Sequence, residues 1–304
     1  MSAPKRAPRG HLLLLDIGNT HGHVGIATPR RILETVDVPT PALLADEAKT
    51  RVNALLRGRS LAGAVICSVV PQATIQARAL VRDAFGLDPL VLTHRTLRGV
   101  GIDYPRPETV GPDRLANAIA ARHLGPPPVV VVDFGTAVTF DIVDRAGRYV
   151  GGIIAPGLAA MTDYLHEKTA LLPRIRIRDV RSAIGRSTEE AMLIGAVHGY
   201  RGLVRELIHS LRTELGAPDL PVVATGGYAR LIARGVREIS RVRPNLTLDG
   251  LRLLWLAHLS ETTPPAEPTP STARPKRRRR SPPRPTAAPP RRESPRSARP
   301  GRSG

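Results

Sequence analysis

Cysteine is almost missing from this 304-residue chain, since Cys67 is its only example. A single thiol cannot form an intramolecular disulfide or a cysteine-based zinc cluster, and it fits the reducing cytoplasm. Long apolar runs are missing as well, because the runs at 12–15 and 129–132 are far too short to span a bilayer. The basic N-terminus is followed by an apolar run that ends at Asp16, which is too short for a secretory signal. We therefore expect a cytoplasmic protein that is not held in a membrane.

Two widespread nucleotide-binding motifs are also absent from the sequence. No G-x-x-x-x-G-K-[ST] occurs in it, which counts against a Walker-type NTPase. No G-x-G-x-x-G follows a predicted strand, which counts against a dinucleotide-dependent oxidoreductase. A nucleotide site in this chain must therefore use other glycine turns.

Acidic residues are outnumbered, with 26 Asp and Glu against 45 Lys and Arg and a formal charge of +19. Much of the excess lies in residues 264–304, which also hold twelve of the 30 prolines and no aromatic or branched aliphatic residue. Such a segment cannot bury enough apolar surface to fold, so we predict a disordered Pro/Arg-rich tail at 261–304 and a flexible arm at 1–10. The tail has the charge to bind nucleic acid or an anionic surface, but no interleaved aromatic residue supports base stacking. A solvated extension without a partner is therefore the preferred interpretation, and binding to nucleic acid or an anionic surface is the alternative.

Strand and helix patterns alternate between these two ends, which predicts an α/β layered fold. Ser187 and Glu190 have the spacing of a capping box that opens a long helix reaching about Leu215. The other predicted helices are 41–56, 72–85 and 112–123, and a further helix follows the turn at 225–227. Strands are predicted at 12–16, 23–28, 32–38, 64–69, 89–92, 129–133, 138–144, 148–154 and 221–224.

One sequence pattern occurs twice. Residues 12–20 are LLLLDIGNT and residues 129–137 are VVVVDFGTA. In each copy an apolar strand ends at an Asp, where a carboxylate can meet a hydrated cation, and a Gly follows that lets the backbone approach a phosphate closely. Two such hairpins facing each other can clasp a nucleoside triphosphate. A third glycine turn at 225–227 follows a predicted strand and is suited to lie against an adenosine.

The helix entry at 111–117 is unusually polar. Pro112 suits the first helical position, and Asp113 lies in the first turn, where the helix dipole favours its ionised form. Arg114 offers a fork for a carboxylate, and Asn117 shares a helix face with Asp113. A solvated helix start is one interpretation of these residues. Beside two phosphate hairpins, an acid–base site for a small carboxylated alcohol is the better one.

These motifs occur in the order found in type III pantothenate kinases, and the chain resembles that family, which includes relatives of the Bvg accessory factor. Tyr104 matches a tyrosine upstream of the family's substrate motif. The matching segments are DIGNT at 16–20, SVVP at 68–71, GPDR at 111–114, DFGTAVT at 133–139, GGIIAPG at 151–157, TALLP at 169–173, GRSTEE at 185–190 and LTLDGL at 246–251.

The resemblance implies the duplicated actin-like, ribonuclease H-like ATPase fold, with lobes at 11–124 and 125–260. It implies a homodimer that phosphorylates pantothenate with ATP, Mg2+ and a monovalent cation, K+ or NH4+. Asp113 is then the catalytic proton acceptor, Asp16 lies near Mg2+, and Asp133 helps to hold the monovalent cation. The implied ATP contacts are Asp16, Ile17, Gly18, Asn19, Thr20, His21, Gly22, His23 and Thr136, and the implied pantothenate contacts are Tyr104, Gly111, Pro112, Asp113, Arg114 and Thr188.

Three positions depart from the family pattern. Pro112 replaces the usual Ala, His23 replaces a Lys of some members, and Val138 stands where many members have Thr. None of these changes removes a named catalytic group. Another small-alcohol kinase on the same fold, or an inactive or regulatory member similar to the accessory transcription factors, stays open as an alternative.

Overall fold

The computed structural model describes residues 10–43 and 47–261 of the chain. Almost all of the predicted N-terminal arm and the tail beyond residue 261 lie outside these residues, so both stay predictions. The described residues belong to one compact unit, and none of its helices is long and apolar enough to cross a membrane.

The first half of the chain builds a five-stranded sheet. Its strand order is β3-β2-β1-β4-β5, with β1, β2 and β3 antiparallel and β4 and β5 parallel to β1. The strands are β1 (His11–Ile17), β2 (His21–Ala27), β3 (Ile32–Pro39), β4 (Leu61–Ser68) and β5 (Leu90–Val91).

The second sheet has six strands in the order β11-β10-β7-β8-β9-β6. The central strands β7, β8 and β9 are antiparallel, while β10 is parallel to β7 and β11 is parallel to β10. The strands are β6 (Gly101–Ile102), β7 (Val129–Phe134), β8 (Ala137–Val143), β9 (Arg148–Pro156), β10 (Val222–Thr225) and β11 (Arg241–Val242).

The two sheets repeat one topology. Each begins with three antiparallel strands and then adds two parallel strands on the other side of its first strand, and only β6 at the edge of the second sheet has no counterpart. The first strands β1 and β7 carry the repeated sequence pattern, and Asp16 and Asp133 occupy equivalent positions in them. The predicted duplicated α/β fold is therefore confirmed.

Eight α-helices connect and cover the sheets in the described part of the chain. The predicted helix at 41–56 is seen as two segments, because residues 44–46 lie outside the described residues. The helices at 158–168 and 246–261 were not predicted from the sequence. The helices are α1 (Thr40–Leu43), α2 (Glu47–Leu56), α3 (Pro71–Phe85), α4 (Pro112–Arg122), α5 (Leu158–Lys168), α6 (Thr188–Glu214), α7 (Ala229–Ala233) and α8 (Leu246–Glu261).

The start of α6 confirms half of the predicted capping box. Ser187 Oγ accepts a hydrogen bond of 3.2 Å from the Glu190 backbone N–H, as expected for a helix cap. Glu190 Oε2 accepts a bond of 2.7 Å from the Arg186 N–H, one residue before the cap that a capping box would use. A capping box would have the Ser187 N–H donate to the Glu190 side chain, and here the Arg186 N–H donates instead.

Helices α4 and α8 form a layer between the two sheets. Apolar residues of both helices pack in one core cluster with Leu12 and Leu14 of β1 and with Val129 and Val131 of β7. The alternate residues of the same strands pack on the outer faces, against α1–α3 for β1 and against α6 and α7 for β7. Burial on both faces explains the continuous apolar runs of these strands. Helix α8 belongs to the predicted second lobe by sequence, yet it packs on the first sheet. The lobe boundary predicted at 124–125 therefore stays a prediction.

Candidate active site

The turns of the two repeated hairpins meet. Thr20 Oγ1 of the β1–β2 turn lies 3.1 Å from Thr136 Oγ1 of the β7–β8 turn, across 116 residues of sequence. Each turn is closed by a glycine N–H, from Gly18 to His21 O at 3.0 Å and from Gly135 to Ala137 O at 3.1 Å. The side chains of Asn19, Thr20 and Thr136 are exposed at this junction. They are therefore accessible to a ligand that bridges the hairpins.

Asp16 and Asp133 lie behind these turns as a pair of half-buried carboxylates. Burial, followed by the charges of Asp113 and Asp133, raises the pKa of Asp16 to about 8, although the Cys67 thiol donates a hydrogen bond to it. Burial also raises the pKa of Asp133 to about 6, against a lowering by its hydrogen bond from Asn117. Close carboxylates of this kind favour a bound cation, because its charge offsets their mutual repulsion.

Asp113 lies in the first turn of α4 and faces the same region. Its Oδ1 accepts a hydrogen bond of 2.9 Å from the Arg114 backbone N–H. A Cβ atom at position 111 would lie only 2.5 Å from that oxygen, so a larger residue there would displace the carboxylate. Burial raises the pKa of Asp113, which makes this carboxylate a stronger base than an exposed one.

Arg114 is fixed from behind by the second sheet. Its Nε donates to Asp141 Oδ1 at 2.6 Å and its Nη2 donates to Phe140 O at 3.0 Å. The guanidinium carbon lies 5.8 Å from the centre of the Tyr149 ring. Asp141 is fully buried, and burial raises its pKa to about 7 despite the neighbouring arginine. The remaining guanidinium N–H groups are thereby oriented before any ligand arrives.

Asn117 connects the carboxylates of the two regions. Its Nδ2 donates to Asp133 Oδ2 at 3.2 Å and to Asp141 Oδ2 at 3.3 Å, while its Oδ1 accepts from Thr247 Oγ1 at 2.9 Å. The buried amide therefore holds Asp133 and the Arg114–Asp141 pair in one hydrogen-bonded network. Thr247 of α8 fixes which way this amide points.

Several residues predicted for the site have other surroundings. The side chain of Ile17 and the backbone of Gly22 are buried, and a Cβ atom at position 22 would clash with Leu43, so both residues serve the packing of the hairpin. The His23 ring contacts the Asp37 carboxylate and, through Nε2, Asn245 Oδ1 at 3.3 Å. His21 is exposed at the start of β2.

Thr188 stays a predicted contact that the geometry does not test. It is exposed at the first position of α6, and no hydrogen bond within residues 10–43 and 47–261 joins it to Tyr104, Asp113 or Arg114. Tyr104 itself is 37% exposed and lies with its ring centre 6.2 Å from that of Tyr149.

Three residues that contact Arg114 or Asn117 were not predicted from the sequence, namely Asp141, Tyr149 and Thr247. Asp141 carried a usable signal, because it is a lone acid in the apolar strand 138–143. Tyr149 gave no such signal, and Thr247 lies in the matched segment LTLDGL, which did not indicate its role. Both reach the site through the packing of β9 and α8.

The described residues do not provide a complete metal site by themselves. No group of three His, Cys, Asp or Glu side chains in that part of the chain is arranged to hold a metal ion. A hard cation beside Asp16 or Asp133 would therefore need further oxygen ligands from a phosphate or from solvent, which is the usual way that proteins bind Mg2+ with nucleotides.

Comparisons with known proteins agree with this arrangement. The family model of the type III pantothenate kinases matches residues 12–210. A type III pantothenate kinase of Akkermansia muciniphila is 46% identical over 243 residues, which are 79% of this chain and 96% of that protein. One of Methylacidiphilum infernorum is 42% identical over 245 residues, which are 80% of this chain and 87% of that protein.

Solved structures share the fold at low sequence identity. A protein of Campylobacter jejuni described as a Baf family transcriptional activator has a TM-score of 0.53 at 17% identity, with 82% of this chain and 99% of that chain covered. The ethanolamine utilization protein EutJ of Carboxydothermus hydrogenoformans has a TM-score of 0.50 at 16% identity, with 81% and 90% covered. At this level of identity the similarity concerns the fold alone.

Proposed function

The chain belongs to the type III pantothenate kinase family, and on that premise we propose that it transfers the γ-phosphoryl group of ATP to the primary hydroxyl of pantothenate. The product is 4′-phosphopantothenate, and the reaction is the first step of coenzyme A biosynthesis. Among the residues, the contact between Thr20 and Thr136 supports the proposal most directly. It joins the two hairpins, and the carboxylates of these hairpins, Asp16 and Asp133, lie near Asp113.

ATP binds across the two hairpin turns. Their exposed side chains, Asn19, Thr20 and Thr136, supply donors for phosphate oxygens, and the turn glycines keep the backbone accessible. Ile17 and Gly22 contribute the rigid hairpin, and His21 and His23 flank it. The duplicated arrangement therefore grips the triphosphate from both sides of the junction.

Asp16 and Asp133 suit the two cations that the resemblance implies. Asp16 is the residue for Mg2+, and Asp133 is the residue for a monovalent cation, K+ or NH4+. Raised carboxylate pKa values at both positions support this, because a bound cation replaces the proton that burial would otherwise retain. When bound, the cations neutralise charge that develops on the transferred phosphoryl group.

Pantothenate lies against the start of α4. Two donors of the Arg114 guanidinium bind Asp141 and Phe140 O, so the others are free of these bonds and serve a substrate oxygen. Gly111 and Pro112 shape the backbone beside the substrate, and Tyr104 covers it from the solvent side. Thr188, exposed at the start of α6, is the remaining proposed contact.

Asp113 accepts the proton of the attacking hydroxyl. Its raised pKa increases its basicity, and its bond from the Arg114 N–H fixes its orientation. Phosphoryl transfer has a loose transition state in which the proton leaves late, so positioning of the hydroxyl contributes more than base strength. No other residue of the site is needed as a base.

The direct test is phosphoryl transfer from radiolabelled ATP to pantothenate with Mg2+, in the presence and absence of K+. We expect pantothenate-dependent product and strong stimulation by K+ or NH4+. A panel of other alcohols, including sugars, tests the alternative substrates. ATP consumption with a sugar and not with pantothenate would replace the proposed substrate, and no transfer to any alcohol would favour a regulatory member.

The homodimer implied by the resemblance is supported by an exposed apolar face on α5. Met161, Tyr164 and Leu165 lie on one side of this helix at helical spacing. Leu171, which is 90% exposed, follows on a turn tied to the helix end by the bond from Leu172 N–H to Thr169 Oγ1. An apolar surface of this kind marks an interface with a partner. We propose that it packs on a second copy of the chain.

Replacing Leu171 with Asp is expected to convert the dimer to a monomer, because a charge would be buried in the apolar interface. Sedimentation velocity of the full chain at micromolar concentration measures this change. The matched control is Ile75→Asp, since Ile75 is 64% exposed on α3, away from this face. An L171D variant that sediments like the parent dimer would remove this face from the interface.

A further inference from the structure

One buried hydroxyl group beside the candidate site has no hydrogen-bond partner. Tyr149 lies on β9, its side chain is fully buried, and its Oη has no donor or acceptor within reach among the described residues. Leaving such a group unpaired costs free energy, so native proteins rarely do so without a reason. The other buried side-chain atoms of this kind in the described part belong to α3, α6 and the segment before β11, namely to Gln76, Arg78, Arg201, Arg212 and Glu238.

The Tyr149 ring stands between two proposed pantothenate contacts. Its centre lies 6.2 Å from that of the Tyr104 ring and 5.8 Å from the Arg114 guanidinium carbon. Tyr104 is 37% exposed whereas Tyr149 is not exposed at all, so Tyr104 is the ring nearer to solvent. Gly151 adopts φ of +119°, and a Cβ atom there would lie 3.3 Å from the Tyr104 ring. The glycine at position 151 therefore allows the Tyr104 ring to pack closely against the backbone of β9.

We propose that Tyr149 Oη donates a hydrogen bond to an acceptor oxygen of pantothenate, its carboxylate or its amide oxygen, and is a specificity-determining residue of the substrate site. This inference rests on the proposed function, because it takes pantothenate as the molecule held by Arg114. The proposal requires the half-exposed Tyr104 ring to shift and admit the substrate oxygen to the hydroxyl. The unpaired donor of the free protein then gains its partner when the substrate binds.

The chemistry of the group fits an acceptor oxygen on the ligand. Burial raises the pKa of Tyr149 far above its ordinary value, and the nearby Asp141 adds to this, although Arg114 opposes it. The hydroxyl therefore keeps its proton at neutral pH and donates. A site that holds a buried donor discriminates strongly against ligands without a matching acceptor, because the donor would stay unpaired.

Replacement of Tyr149 with Phe tests this role, with Tyr200→Phe as the matched control. Tyr200 is equally buried, but its hydroxyl already donates to Pro156 O at 3.2 Å. We expect Y149F to raise KM for pantothenate about 10-fold, as for the loss of one hydrogen bond, with KM for ATP unchanged and with an unchanged or higher Tm. We expect Y200F to lower Tm by about 2–4 °C, because it breaks a made bond, and to leave both KM values unchanged.

Two results would overturn the inference. If Y149F keeps the parental KM for pantothenate, the hydroxyl does not bind the substrate. If Y149F instead lowers Tm and raises the KM values for both substrates, its role is structural. In both cases the unmutated enzyme would still phosphorylate pantothenate, so the proposed function would stand. Failure of the Tyr149 inference is therefore distinguishable from failure of the proposed function.

Discussion

Replacing Asp113 with Asn is expected to reduce turnover by about 10²–10⁴-fold, the range for loss of a positioned general base. The amide keeps the size of the side chain and can still accept the hydrogen bond from the Arg114 N–H, so the helix start stays folded. What it cannot do is take a proton from the primary hydroxyl of pantothenate. Because the nucleotide is held by the hairpins, KM for ATP should change little.

The measurement is steady-state kinetics with ATP and pantothenate each varied separately. Asp103→Asn is the matched control, since Asp103 lies in the same polar segment but is exposed and pairs with Arg148 Nη1 at 2.8 Å. We expect the D103N enzyme to retain nearly the parental rate, because exposed ion pairs contribute little. A D113N enzyme with full turnover would show that Asp113 is not the base.

The sequence predicted the duplicated fold because its signal is local and repeated. The apolar runs before Asp16 and Asp133 are each buried on both faces, so every residue in them is apolar and the strands are unmistakable. Helix α3 could be recognised by Pro71 at its first position, and Gly86 with φ of +65° ends it. In contrast, α8 is apolar around most of its surface, since it lies in the layer next to the first sheet, and such a helix lacks the one-sided pattern that predicts helices.

The site could be predicted only as far as its motifs extend. Asp16, Asp113, Arg114 and Asp133 belong to recognisable segments, and the structure brings these four together through long-range packing. Asp141 was recognisable only as a lone acid in an apolar strand, and Thr247 only as part of a matched segment. Neither pattern shows which residues these side chains contact. Which partners Asn117 would bind depends on the distance between two sheets, and no local pattern contains that distance. Residues that orient the side chains of a site through hydrogen bonds are therefore the ones that a sequence pattern does not identify.

Replacing Asp16 with Asn is expected to stabilise the ligand-free protein above neutral pH while reducing turnover by roughly 10²-fold, since the residue for the Mg2+ ion is lost. The folded-state pKa of Asp16 is about 8, against 3.8 for the free side chain. Between these values the folded protein holds a proton that the unfolded chain has released, so stability falls as pH rises from about 4 to about 8 and levels off above. Asn cannot ionise, so this part of the fall disappears, a gain on the order of a few kcal/mol at pH 8.

Chemical denaturation of the metal-free and nucleotide-free protein at pH 5, 6.5 and 8 checks this expectation. The parent should lose stability across the series, partly through Asp133 and Asp141, whose pKa values of about 6 and about 7 act with the same sign at lower pH. The D16N protein should lose less, with the largest difference from the parent at pH 8. Asp219→Asn, at an exposed loop position, serves as the control and should follow the parent. A D16N curve parallel to the parental one would mean that Asp16 is already ionised in the ligand-free protein. Burial of Asp16 would then not lower the stability of the protein in exchange for cation binding.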